Sequence, residues 1–153
     1  MLERMRRVAK RIVALSATEW ADLARAQLAL IAAEWIVRRR PIGSLIESAT
    51  TASAPSAGGS APDPVAARLA LAVSRAADYG VFRPLCLVRA LALQQMLEAR
   101  GIHGSRIRLG VRRKNGGLAA HAWVEHGDAI LGDSEDHVGA YSRLGDVRVI
   151  ERP

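Results

Sequence analysis

The sequence predicts an α+β fold: a helix opened by a cysteine packs on a small antiparallel sheet, and a helical N-terminal region precedes both. Three observations carry this. Apolar side chains recur at three- to four-residue spacing along most of residues 1–100, the period of a helix with one buried face. After Gly101 the period drops to two, as in half-exposed strands. Between the first and later helices, residues 49–64 (ATTASAPSAGGSAPDP) are nearly all small or turn-forming and have little surface to bury. The organisation read from this is a helical region over 1–48, a flexible linker over 49–64 and a second folded domain over 65–153.

Each element has local reasons. Over residues 1–15, Leu2, Met5, Val8, Ile12 and Leu15 alternate with cations as a basic amphipathic segment. Ser16 and Glu19 have capping-box spacing. They open a helix from Ala17 to about Arg39, with Arg38, Arg39 and Arg40 suited to the negative end of the helix dipole and Pro41 ending it. Its stripe is imperfect, because Leu23, Gln27, Leu30, Ile31 and Glu34 compete with Trp20, Leu23, Leu28, Ile31 and Trp35 as anchors. The helix either packs on its own domain, the favoured reading, or offers a docking surface. Asp63 and Pro64 suit the cap and first position of a second helix to about Asp78, with Val65, Leu69, Ala72, Val73 and Ala76 as its stripe. A third helix runs from Leu85 to Arg100, entered through Pro84 and stopped at Gly101. It is expected to be the most buried. Ile107, Leu109 and Val111 mark the first strand, Asn115-Gly116-Gly117 a hairpin turn, Leu118 to Glu125 the second strand, and Ala129 to Asp133 the third. Residues 134–140 read as a polar stretch, and Val147, Val149 and Ile150 as a short last strand.

Composition narrows the function. Half of the 153 residues are hydrophobic but only 4% aromatic, so the core is aliphatic. The formal charge of +7 rests almost wholly on Arg. In an Ala-rich, Lys-poor chain this reflects nucleotide bias as readily as a nucleic-acid partner, and no nucleic acid is inferred. One cysteine rules out an internal disulfide and a cysteine-based zinc site, and suits a reducing compartment. No apolar signal core follows the basic N-terminus. Asp22, Arg25, Gln27 and Glu34 interrupt the longest apolar region, too often for a membrane span. A cytoplasmic location is expected.

Cys86 falls in the first turn of the third helix, where amide N–H groups and the helix dipole favour a thiolate. The same amides can hold the oxyanion formed when sulfur attacks a carbonyl. An inert buried thiol is the plain alternative. His121 shares a strand face with Trp123 and Glu125. If His126-Gly127-Asp128 is a three-residue loop, Glu125 faces Ala129 and His121 faces Asp133, within reach of a carboxylate–imidazole hydrogen bond. A one-residue slip would turn Asp133 away. Glu135 and Asp136 are less well placed carboxylates. His103 and His126 fall in a helix exit and a turn. His137 lacks identifiable metal-binding partners, and the sequence has no phosphate loop and no spaced His/Asp cluster for a catalytic metal.

The stretches Pro84-Leu85-Cys86-Leu87-Val88-Arg89-Ala90-Leu91-Ala92, Leu97-Glu98-Ala99-Arg100-Gly101-Ile102, Leu109-Gly110-Val111 and Ala120-His121-Ala122-Trp123-Val124-Glu125 together resemble the leader peptidases of lasso-peptide biosynthesis. These are B-type maturation proteases with a transglutaminase-like, papain-like cysteine-protease core. The resemblance covers residues 65–145 well and 16–47 more loosely. It implies Cys86 as nucleophile, His121 as general base and Asp133 as orienting acid, with no cofactor and no metal. It also implies a precursor-peptide substrate, a separate leader-recognition protein and an ATP-dependent lasso cyclase that takes the released core. Two other readings compete: a transglutaminase-like acyl transferase built on the same triad, and a non-catalytic interaction module using the first helix and the Arg-rich surface.

Overall fold

A computed structural model describes residues 15–39 and 63–144. The basic segment 1–14, nearly all of the linker and the strand expected around Val147 to Ile150 lie outside the described residues. The order of elements is α1 (Ala17–Arg39), α2 (Pro64–Tyr79), α3 (Cys86–Ala99), β1 (Ser105–Lys114), β2 (Gly117–His126), β3 (Ala129–Leu131), α4 (Glu135–Gly139) and β4 (Ser142–Arg143). The strands form one antiparallel sheet in the order β3-β2-β1-β4. The α+β class and the helix-on-sheet arrangement are as the sequence predicts.

Helix α1 begins with a complete capping box. Ser16 Oγ accepts from the Glu19 amide at 3.2 Å, and Glu19 Oε2 accepts from the Ser16 amide at 2.9 Å. Its buried residues are Asp22, Ala26, Leu30 and Ala33. The larger candidates Trp20, Leu28, Ile31 and Trp35 are exposed. The inward stripe is therefore small: Ala26 and Ala33 let α1 lie close against α2 and α3, on which it packs. Asp22, fully buried, joins this stripe because arginines meet it there. Arg68 of α2 lies 2.8 Å away, Arg100 beyond α3 2.7 Å and Arg25 of α1 3.4 Å.

Helix α2 opens with Asp63 Oδ1 accepting from the Val65 amide at 2.7 Å and Pro64 in the first turn. It buries Leu69, Ala72, Val73 and Ala76 as expected, with Ala66, Ala70 and Ala77 beside them. Helix α3 packs on β2 and β1, burying Val88, Ala92, Leu93, Met96 and Leu97. Leu30, Leu69 and Leu97 are the largest fully buried aliphatic side chains, each stabilising the fold by about 1.5–3 kcal/mol. The polar exception is Gln94, whose side chain donates to the Ser105 carbonyl at 3.1 Å and ties α3 to the start of β1.

The β1–β2 hairpin turns at Asn115 and Gly116, both with positive φ (50° and 79°), the geometry that matches strand twist in a two-residue turn. Within residues 134–140, expected as a polar stretch, Glu135–Gly139 form the short helix α4. Ser134 Oγ caps it by accepting from the His137 amide at 3.2 Å. Strand β4, unforeseen in the sequence, pairs Arg143 with Gly110 and Ser142 with Val111. Two residues are too few to show alternation.

Candidate active site

The site lies where the start of α3 meets the middle of β2 and the end of β3. A cavity of about 420 Å³ is lined there by Cys86, Arg89, His121, Trp123, Asp133 and His137, among others.

Cys86 is the first residue of α3, and Leu85 is its cap. The starts of α1, α2 and α4 are closed by the side chains of Ser16, Asp63 and Ser134. Leu85 has no oxygen to offer, and its side chain points outward, 72% exposed. The first backbone bond of α3 runs from the Arg89 amide to the Leu85 carbonyl. The amides before it are helix-start donors without a helical acceptor, set beside the thiol. Arg89 fixes this entry by donating Nε to the Pro84 carbonyl at 3.3 Å and reaching Asp78 at 3.1 Å. Cys86 is half-buried, and a thiol at a cavity wall with open amides can attack a carbonyl and hold the resulting oxyanion.

His121 and Asp133 meet. Their Nε2···Oδ2 separation is 2.5 Å, but the strand register that was expected to join them is wrong. The β2–β3 turn has two residues, Gly127 and Asp128, so Glu125 pairs with Ile130 and His126 with Ala129. Continued, that register would set Asp133 opposite Ala122, on the other face. Instead β3 stops at Leu131, and Gly132 takes a φ of +77°. This left-handed step returns the carboxylate to His121. A β-carbon on Gly132 would meet only ordinary contacts, the nearest at 3.5 Å. The backbone conformation is what calls for glycine there.

Asp133 also holds His137, whose Nδ1 lies 2.8 Å from Oδ1, and it accepts from the Ser134 amide at 2.8 Å. Burial pushes the Asp133 carboxyl up, but the bonds from His121, His137 and the Ser134 amide outweigh it and hold the group below its ordinary value. The sequence offered no metal-ligand partners for His137. The structure corrects this, because α4 lifts His137 one turn above Asp133 and brings His121, Asp133 and His137 together. The signal was present in Ser134: an N-cap there starts a helix whose first turn brings His137 back over Asp133, just before the cap. These three are the described residues that can hold a metal ion. His103 and His126 lie elsewhere, joined through the His103 carbonyl at 3.2 Å.

Aromatic rings fix the imidazole. Tyr141 lies 5.1 Å from His121 and 5.5 Å from His137 between ring centroids, and the Arg112 guanidinium lies over the Tyr141 ring, 4.6 Å from its centroid. Trp123 stacks at 6.1 Å, and its Nε1 donates to Glu125 at 3.0 Å. Glu125 is held in turn by Arg108 and Arg143. Gly110, paired with His121 across the strands, leaves the room this needs. A β-carbon there would lie 2.8 Å from the Tyr141 side chain and 2.9 Å from the Trp123 ring. With Nε2 turned to Asp133, Nδ1 is the ring nitrogen left to exchange a proton with a thiol. A cysteine, an oriented imidazole and an ionised carboxylate around one cavity can carry out acyl transfer.

A family model described as the transglutaminase-like superfamily matches residues 27–146. No curated protein and no solved structure is significantly similar to the chain.

Proposed function

The chain belongs to the transglutaminase-like superfamily, and from that premise we propose that it is a cysteine peptidase that removes the leader from a lasso-peptide precursor. That superfamily includes cysteine peptidases and acyltransferases. The observation that carries the reading is the pairing of Cys86 at an uncapped helix start with the His121–Asp133 couple around one cavity.

In this reading the Cys86 sulfur attacks the carbonyl carbon of the leader's last residue while His121 takes the thiol proton. The amides at the start of α3 hold the oxyanion. Collapse breaks the C–N bond, the His121 imidazolium protonates the departing amine, and the leader stays on Cys86 as a thioester. His121 then deprotonates a water that attacks the thioester and frees the leader carboxylate. Asp133 keeps the imidazole oriented and supports its positive charge through each proton transfer. The freed core amine is the group an ATP-dependent cyclase would join to a side-chain carboxylate.

The partners in this reading are the precursor peptide and a separate leader-recognition protein. The exposed apolar row Trp20, Leu28, Ile31 and Trp35 on α1 supports a docking role for that helix beside its packing role. No described helix is long and apolar enough to cross a membrane, and we place the reaction in the cytoplasm. Mass spectrometry of precursor incubated with the purified protein and the recognition protein tests the reading. A leader ending in a free carboxylate, with a core bearing a free amine, is expected. A leader joined to an added amine would make the protein an acyltransferase, and intact precursor would remove the peptidase assignment.

A further inference from the structure

We propose that His121, Asp133 and His137 form a binding site for a first-row divalent cation of the zinc class, and that the bound ion holds the thiol site inactive. The acyl-transfer chemistry needs one carboxylate–imidazole contact. Asp133 makes two, with His121 on Oδ2 and His137 on Oδ1. The second imidazole has no part in the steps above, yet it has the geometry of a ligand.

The ligand atoms of the three side chains all lie within 4.8 Å of one another. Tetrahedral zinc holds nitrogen and oxygen at roughly 2.0–2.2 Å, which sets neighbouring ligand atoms about 3.3 Å apart. The two nitrogen–oxygen separations here are 2.5 and 2.8 Å. An ion entering between them needs the carboxylate and each ring to part by less than about 1 Å, while the ligand atoms furthest apart, within 4.8 Å, close by up to about 1.5 Å. Two imidazoles and one carboxylate suit zinc and its first-row neighbours, whereas calcium and magnesium take mostly oxygen. His137 is 43% exposed, so an ion has a path from solvent, and the cavity leaves a fourth position for water.

Occupancy and catalysis compete for the same ring. A metal on His121 Nε2 takes that lone pair and leaves the ring proton on Nδ1, the nitrogen that has to receive the proton of Cys86. The His121–Asp133 hydrogen bond is lost at the same time. The inhibitory consequence rests on the peptidase reading; the binding itself does not.

The test is calorimetric titration of the full chain with zinc chloride in a non-chelating buffer. One ion per chain is expected. His137→Gln and Asp133→Asn should each weaken binding by more than about tenfold, with far-UV circular dichroism confirming that both variants fold. Cys86→Ser should bind within about twofold of wild type, and cobalt in place of zinc should give a visible band without a thiolate charge-transfer band. Unchanged affinity in folded His137→Gln, or binding lost in Cys86→Ser, overturns the assignment. Zinc binding that leaves leader cleavage untouched overturns the inhibitory half. Cleavage by a chain that binds no zinc overturns the inference and leaves the peptidase reading standing.

Discussion

Two carboxylates sit near opposite ends of α3, and each gathers more than one basic side chain. Asp22 is fully buried among Arg25, Arg68 and Arg100 and joins α1, α2 and the end of α3. Asp133 is partly buried between His121 and His137 at the end of β3. The geometry is similar but the chemistry is not. Arginine keeps its proton at any working pH, so the Asp22 cluster can only hold helices together. An imidazole can both accept and donate a proton through its two ring nitrogens, so the Asp133 cluster can take part in proton transfer. The partner residue, rather than the carboxylate, decides whether the site is a staple or a relay.

Asparagine substitution at the two positions should separate these roles. Asp133→Asn should lower leader cleavage about 10²–10⁴-fold while changing stability by less than about 1 kcal/mol. Asp22→Asn should do the reverse, costing about 2–3 kcal/mol in urea unfolding with turnover per folded molecule unchanged. Its arginine partners are 33–59% exposed and rehydrate when the charge goes, which keeps the cost at or just below the range for a broken fully buried pair. If Asp22→Asn lost activity while still folded, the staple would have a catalytic role and the distinction would collapse.

Smaller effects sharpen the same contrast. Gly132→Ala forces a β-carbon onto a φ of +77°, at a cost of about 1 kcal/mol. Because Gly132 aims Asp133 at His121, cleavage should fall by more than that loss of stability explains. A kcat unchanged in folded Gly132→Ala would mean the left-handed step does not position the acid. The smallest effect is on acid stability. The folded Asp133 carboxyl sits below 3.8, so its contribution is complete above that value and is lost as pH falls through the lower folded value. Urea unfolding from pH 5 to pH 2 should therefore fall less steeply for Asp133→Asn than for wild type. Parallel curves would remove the shift.

Most of the fold was legible, because its signals are local. The capping box of Ser16 and Glu19, the Asp63-Pro64 helix entry, Gly101 and Asn115-Gly116 each specify a short piece of backbone through its own hydrogen bonds or dihedral angles. The inward face of α1 was not legible. It depends on arginines 46 and 78 residues away, and a lone Asp among alanines looks like surface. In the candidate site, the meeting of His121 and Asp133 was foreseen for a mistaken reason. A two-residue turn shifts the β2–β3 register, and a left-handed glycine undoes the shift. One glycine's torsion carries no periodic signal. His137 was undervalued because α4 is a single turn, too short for periodicity and marked only by the Ser134 cap.

The claim that Cys86 performs the chemistry is tested most directly by leader cleavage with Cys86→Ala, read by mass spectrometry beside wild type. Cleavage should fall by about three orders of magnitude or more, with the circular dichroism spectrum and the urea midpoint unchanged. Leader release by Cys86→Ala at the wild-type rate would contradict the account.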